Sequence, residues 1–233
     1  MLWFKGWLET RYRMAFSLCF IGLVMVVAQI GGSKQPPPPG ARPDEAIAIM
    51  IDSFVVVFFS MLAGAGINTQ PAFQATKGLH GSTLFTLSLP VSRLRLLAIR
   101  STIGWVAMAL MIILLCIAMG LIAPRSASVT TPRIFEQAAA LIACTTGFYY
   151  ISVLLGTLLD DAWRIWGSML AFGAFWLLQA YTPLPNSLNL IRAMGLGSPI
   201  IAHVMPWGAM AFSLGLAAVL FVAAWKIAER REF

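Results

Sequence analysis

Few side chains in this chain could do chemistry, and they stand apart. There are only two histidines, His80 and His203, and the three cysteines, Cys19, Cys116 and Cys144, each fall inside an apolar run without metal-ligand spacing. Asp160 and Asp161 are adjacent, a pairing that in other settings serves metal binding or acid–base catalysis. No His or Cys lies near them in sequence, and Asp161 is placed to cap the helix that follows, so a cap is the simpler reading. Asp52 is the one acidic residue of a long apolar run. Intramembrane carboxylates are expensive and often functional; close to an interface the expense falls, so a transport role and a tolerated surface carboxylate both stay open. No G-x-x-x-x-G-K-[ST], H-E-x-x-H or G-x-S-x-G pattern occurs, so the chain itself is expected neither to bind ATP through a P-loop nor to hydrolyse a substrate. It is not expected to be an enzyme.

The elements that carry these residues are membrane-spanning. Apolar residues make up 59% of the 233 positions and charged ones 11%, and several runs approach or exceed the roughly 20 residues that cross a bilayer. The runs are continuous rather than alternating, which argues for helices and against a barrel. An all-α polytopic fold with six transmembrane helices is predicted, at about 14–30, 46–67, 96–123, 134–159, 162–181 and 207–228. Across such a bilayer, His80 and His203 face opposite sides, about 30 Å of hydrocarbon apart. The formal charge of +7 is explained by topology rather than by nucleic acid. Lys5, Arg11, Arg13, Lys77, Arg93, Arg95, Arg100, Arg164, Lys226, Arg230 and Arg231 fall on one side and only Lys34, Arg42, Arg125, Arg133 and Arg192 on the other, which is expected to place both termini in the cytoplasm. No internal repeat is visible, against an inverted-repeat secondary transporter.

The connections have their own character. Residues 1–13 set Trp3 and Trp7 four apart, as are Phe4 and Leu8, while Lys5, Glu9 and Arg13 share another side. This is the pattern of a helix lying in the interface. Pro36–Pro39 reads as a stiff extended spacer, a composition that favours the polyproline helix. Tyr149 and Tyr150, midway along the fourth run, could line a translocation path or pack with their hydroxyls bonded. Residues 182–205 are apolar yet broken by Pro183, Pro185, Gly195, Gly197 and Pro199. They read as two half-length helices, capped by Ser187 and Ser198, that dip into the outer leaflet or lie on it. A left-handed conformation is expected at Gly197.

The stretch 74–100, QATKGLHGSTLFTLSLPVSRLRLLAIR, organises the rest. Phe85 and Leu89 lie four apart and Leu84 and Leu87 three apart, so a helix here shows one apolar stripe. Pro90 ends that helix at Leu89, and Ser92 caps a new one beginning near Arg93. The product is a short amphipathic helix turned sharply into a membrane-spanning one.

Lys77-Gly78, Gly81, Leu87-Ser88-Leu89-Pro90-Val91-Ser92-Arg93, Leu96-Leu97 and Arg100 together resemble the cytoplasmic coupling segment of the type-2 permeases of ATP-binding-cassette exporters. The likeness extends along the chain: an interfacial elbow helix (1–13), six spans, a coupling segment (68–95) and re-entrant outer helices (182–205). Family members often carry a carboxylate in the helix before the Pro, and this chain has none between Asp52 and Glu136. The resemblance implies a bacterial inner-membrane permease that pairs with a second permease chain, identical or homologous, and with two ABC ATPase subunits. ATP and Mg would bind on the ATPase partner, with no cofactor or metal in this chain. Lys77, Gly78, Leu84, Phe85, Leu89, Pro90, Ser92 and Arg93 would meet the ATPase. Asp52, Tyr149, Tyr150, Gly195 and Gly197 would belong to the path or its outer gate. The competing reading is a small polytopic secondary transporter or channel that needs no ATPase.

Overall fold

The computed structural model describes residues 92–122, 131–159, 161–182, 184–195 and 197–230, together with single positions at Ala15, Cys19, Gly22, Val56, Val57 and Ser60. The expected elbow helix, most of the first two spans with Asp52, and the coupling helix before Val91 lie outside the described residues. Among those described, all regular structure is helical: α1 (Arg93–Ile122), α2 (Thr131–Leu158), α3 (Asp161–Tyr181), α4 (Leu190–Met194), α5 (Pro199–Ala202) and α6 (Trp207–Arg230).

Three of these helices are long and apolar enough to cross a membrane, through Leu97–Ala118, Pro132–Leu158 and Trp207–Arg230. With 30, 28 and 24 residues, α1, α2 and α6 extend about 45, 42 and 36 Å at 1.5 Å per residue, more than the roughly 30 Å of hydrocarbon. They correspond to the third, fourth and sixth expected runs. α3 corresponds to the fifth, with its described apolar stretch at Met169–Gln179.

α2 is the centre of the packing. α6 makes its most extensive contact, α1 the next, and α3, α4 and α5 also lean on it. Leu141, Cys144, Phe148, Tyr149 and Val153 are buried along α2, joined by Met108, Ile112 and Leu115 from α1 and by Val56 and Val57. Val106, Leu110, Leu114 and Ile117 repeat at helical spacing on the other side of α1 and are exposed, as suits a face turned to lipid tails.

Helix ends follow local chemistry, with corrections to the sequence expectation. α2 begins at Thr131, so Pro132 and Arg133 lie in its first turn rather than in a loop. A proline there displaces no hydrogen bond, because first-turn amides have no intrahelical acceptor. Asp161 is the first residue of α3, one position inside the cap expected of it. Pro206 precedes α6 and its carbonyl accepts from the Met210 amide at 3.1 Å, starting that helix's ladder.

Candidate functional site

Tyr149 and Tyr150, adjacent on α2, point to different neighbours. Tyr149 is fully buried at 0% exposure, and its hydroxyl donates to the Ser101 carbonyl of α1 at 2.7 Å. The Ser101 hydroxyl donates in turn to the Leu97 carbonyl at 2.7 Å. The Tyr150 ring stands edge-on to Tyr149, centroids 5.1 Å apart, and edge-on to Phe221 of α6 at 5.8 Å. A second polar tie joins the same two helices where the Trp105 indole donates to the Thr146 hydroxyl at 3.0 Å. Within one chain, Tyr149 is thus buried and hydrogen-bonded to α1, while Tyr150 is half-buried at the α2–α6 seam.

On the opposite flank, Ser213 of α6 bridges two backbone groups of α2. Its hydroxyl accepts from the Gly147 amide at 2.9 Å and donates to the Cys144 carbonyl at 2.9 Å. This approach requires a glycine: a Cβ at 147 would stand 2.9 Å from the Ser213 hydroxyl oxygen and 3.4 Å from its carbonyl oxygen. Small residues let membrane helices come close enough for such backbone-directed bonds.

The segment after α3 contains two helices, as expected, but of five and four residues. These are single turns of about 7.5 and 6 Å, not half-length membrane helices. Asn189, not Ser187, caps the first: its side-chain oxygen accepts from the Arg192 amide at 2.9 Å. The reason is the preceding turn. The Pro185 carbonyl takes both the Leu188 and Asn189 amides at 2.9 and 3.2 Å, which leaves Ser187 inside the turn and Asn189 at the helix boundary. Ser198 does occupy the cap position of α5, with Pro199 first in the helix, yet its hydroxyl makes no capping bond. Neither glycine is left-handed. Gly195 has φ −95, and at Gly197 the constraint is proximity, since a Cβ would meet the Arg192 carbonyl oxygen at 3.1 Å. Among the described residues of this segment the left-handed one is His203, at φ 56.

Gln179 fastens this segment to α3. Its side chain, at 2% exposure, donates to the Leu188 carbonyl at 3.0 Å and accepts from the Leu190 amide at 2.6 Å. The Asn189 side chain donates back to the Gln179 carbonyl at 3.0 Å. Leu190, Ala193 and Met194 are then buried beneath the turn. Sequence reasoning did not single out Gln179, Ser213 or Asn189. The available signal was a lone amide near the end of an apolar helix, a glycine mid-helix in the fourth run, and an Asn directly before Leu190.

At the coupling segment the structure describes only the exit. Ser92 is exposed, and its hydroxyl accepts from the Arg95 amide at 3.3 Å, the capping bond expected of it. Arg93 is the first residue of α1. Lys77, Gly78, Leu84, Phe85, Leu89 and Pro90 lie outside the described residues, as does Asp52, so they are not brought together with the rest. Among the described residues no three His, Cys, Asp or Glu side chains gather as a metal site.

No protein-family model, curated protein or solved structure matches this chain.

Proposed function

We propose that this chain is the membrane-spanning permease subunit of an ATP-driven ATP-binding-cassette exporter of the type-2 class, working as a permease dimer with two separate ATPase subunits in a bacterial inner membrane. The observation that carries the reading is the junction at Ser92. The Leu-Ser-Leu-Pro-Val-Ser-Arg run ends in a capped helix start, with the serine oxygen on the Arg95 amide, and α1 then continues unbroken for 30 residues. A rigid helix rooted in a short cytoplasmic one is what a lever needs, because force at the short helix becomes displacement along the long one. The three spanning helices and the two single-turn helices between α3 and α6 also support it. The complete reading has six spans, with an elbow at 1–13 and both termini in the cytoplasm.

In this mechanism the apolar stripe with Phe85 and Leu89 docks into a cleft of the ATPase, and Lys77 and Arg93 flank it. ATP and Mg act on the partner and supply the energy. This chain contributes the lever and the path, with Asp52 and Tyr150 as candidate path residues and Gly195 and Gly197 in the outer segment. The test is Phe85→Asp in the full chain, co-expressed with its ATPase. Losing an anchor of this kind typically costs about 2 kcal/mol or more, so the variant inserts normally but no longer retains the ATPase or couples ATP hydrolysis to export. An inserted variant that still co-purifies with the ATPase and still exports would overturn the assignment.

A further inference from the structure

The first turn of α2 carries a cation where helix electrostatics disfavour one. Arg133 is the third residue of a 28-residue helix, at the end where free amides present partial positive charge. Helix stability therefore does not explain it. Ion pairing does not explain it either, since among the described residues its partner is not a carboxylate but the His203 ring, whose Nδ1 lies 2.5 Å from a guanidinium nitrogen.

Arginine can only donate, so in this contact the guanidinium is the donor and Nδ1 the acceptor, the arrangement of the tautomer that carries its N–H on Nε2. The left-handed backbone at His203, φ 56, presents the ring at the end of α5, and the residue is exposed. Among the described residues neither side chain has a further hydrogen-bond partner, so the remaining guanidinium N–H groups and Nε2–H stand as donors side by side.

Their depth identifies the acceptor. α2 is about 42 Å long against roughly 30 Å of hydrocarbon, so its first turn projects into the layer of lipid phosphates. Val204 and Trp207, one and four residues beyond His203 in the chain, are each 67% exposed, offering apolar surface and an interfacial indole on the same connection. The geometry points to a binding site for the phosphate of a phospholipid headgroup, formed by Arg133 and His203, with Val204 and Trp207 against the glycerol and upper acyl chain. Glu136, exposed three residues further along α2 on the same face as Arg133, is the carboxylate nearest to it in sequence. The site requires only that α2 crosses the bilayer and is independent of the ATPase assignment.

Native mass spectrometry of the full chain tests it, with phosphatidylglycerol titrated against a diacylglycerol of the same acyl chains. The wild type should bind phosphatidylglycerol in preference to diacylglycerol. Arg133→Gln should weaken the tightest binding event about fivefold, the worth of one cation at a membrane surface. His203→Asn, which tolerates left-handed backbone, should weaken it too while the fold persists. Arg230→Gln, at the far end of α6, should leave it unchanged. Equal binding of both lipids, or wild-type affinity in both the Arg133 and His203 variants, overturns the site. Displacement of the lipid by millimolar inorganic phosphate would show that a free anion is the ligand, and would overturn the lipid assignment.

Discussion

The Ser213 hydroxyl lies between two main-chain groups of α2, 2.9 Å from the Gly147 amide and 2.9 Å from the Cys144 carbonyl, so α6 is bonded to the backbone of the central helix rather than only packed on its side chains. Gly147→Ala should destabilise the protein by about 1–3 kcal/mol, the range for overpacking a filled site. Ser213→Ala should cost nearer 0.6 kcal/mol, the average for a polar tie between membrane helices. The double variant should cost less than the sum, because removing the hydroxyl clears the space that the new methyl needs. Unfolding in detergent measures all three, and strict additivity would show that the two residues do not share this contact.

Gln179 holds two main-chain groups of the segment that follows α3. Gln179→Leu leaves the Leu190 amide and the Leu188 carbonyl without that partner, at about 1–3 kcal/mol for each group kept from water. Opening should be local, so amide exchange is expected to rise across 184–202 while α1 and α2 keep their protection. Gln179→Glu retains an acceptor for Leu190 but lacks the donor to Leu188, and should fall between.

How much of this was legible depends on whether the signal was local. α1, α2 and α6 could be read from unbroken apolar runs, and the cap at Ser92 from a hydroxyl placed just after Pro90. The cap of α4 was misread because Ser187 and Asn189 are both good capping residues, and the Pro185 turn decides between them. Gln179 was invisible for another reason. Its partners lie 9 to 11 residues away, and no periodicity announces a side chain that bonds across a turn. For the coupling stripe at Phe85 and Leu89, sequence remains the only source, since those residues fall outside the described part of the chain.

Tyr149→Phe separates the two readings of that tyrosine. If the hydroxyl only ties α2 to α1, stability should fall by about 0.6 kcal/mol and the proposed export should be retained. A severalfold loss of that export at unchanged stability would instead place Tyr149 on the proposed path.

Topology is testable with single cysteines at His80 and Arg125. The background replaces Cys19, Cys116 and Cys144 by Ala. This leaves the main-chain carbonyl at 144 available to Ser213, so the fold should survive. An impermeant thiol reagent applied outside should label position 125 and spare position 80. Labelling of both from outside would reject the six-span arrangement.

The brevity of α4 and α5 has a consequence for how the protein is made. Helices of five and four residues cannot persist alone in water, where even 12–15 residues are marginal. α4 rests on α2 and α3, which are synthesised before it, and also on α6, which is synthesised after it. The segment therefore takes its form only against helices made before it, with Gln179 of α3 holding its main chain, and α6 closes on it afterwards.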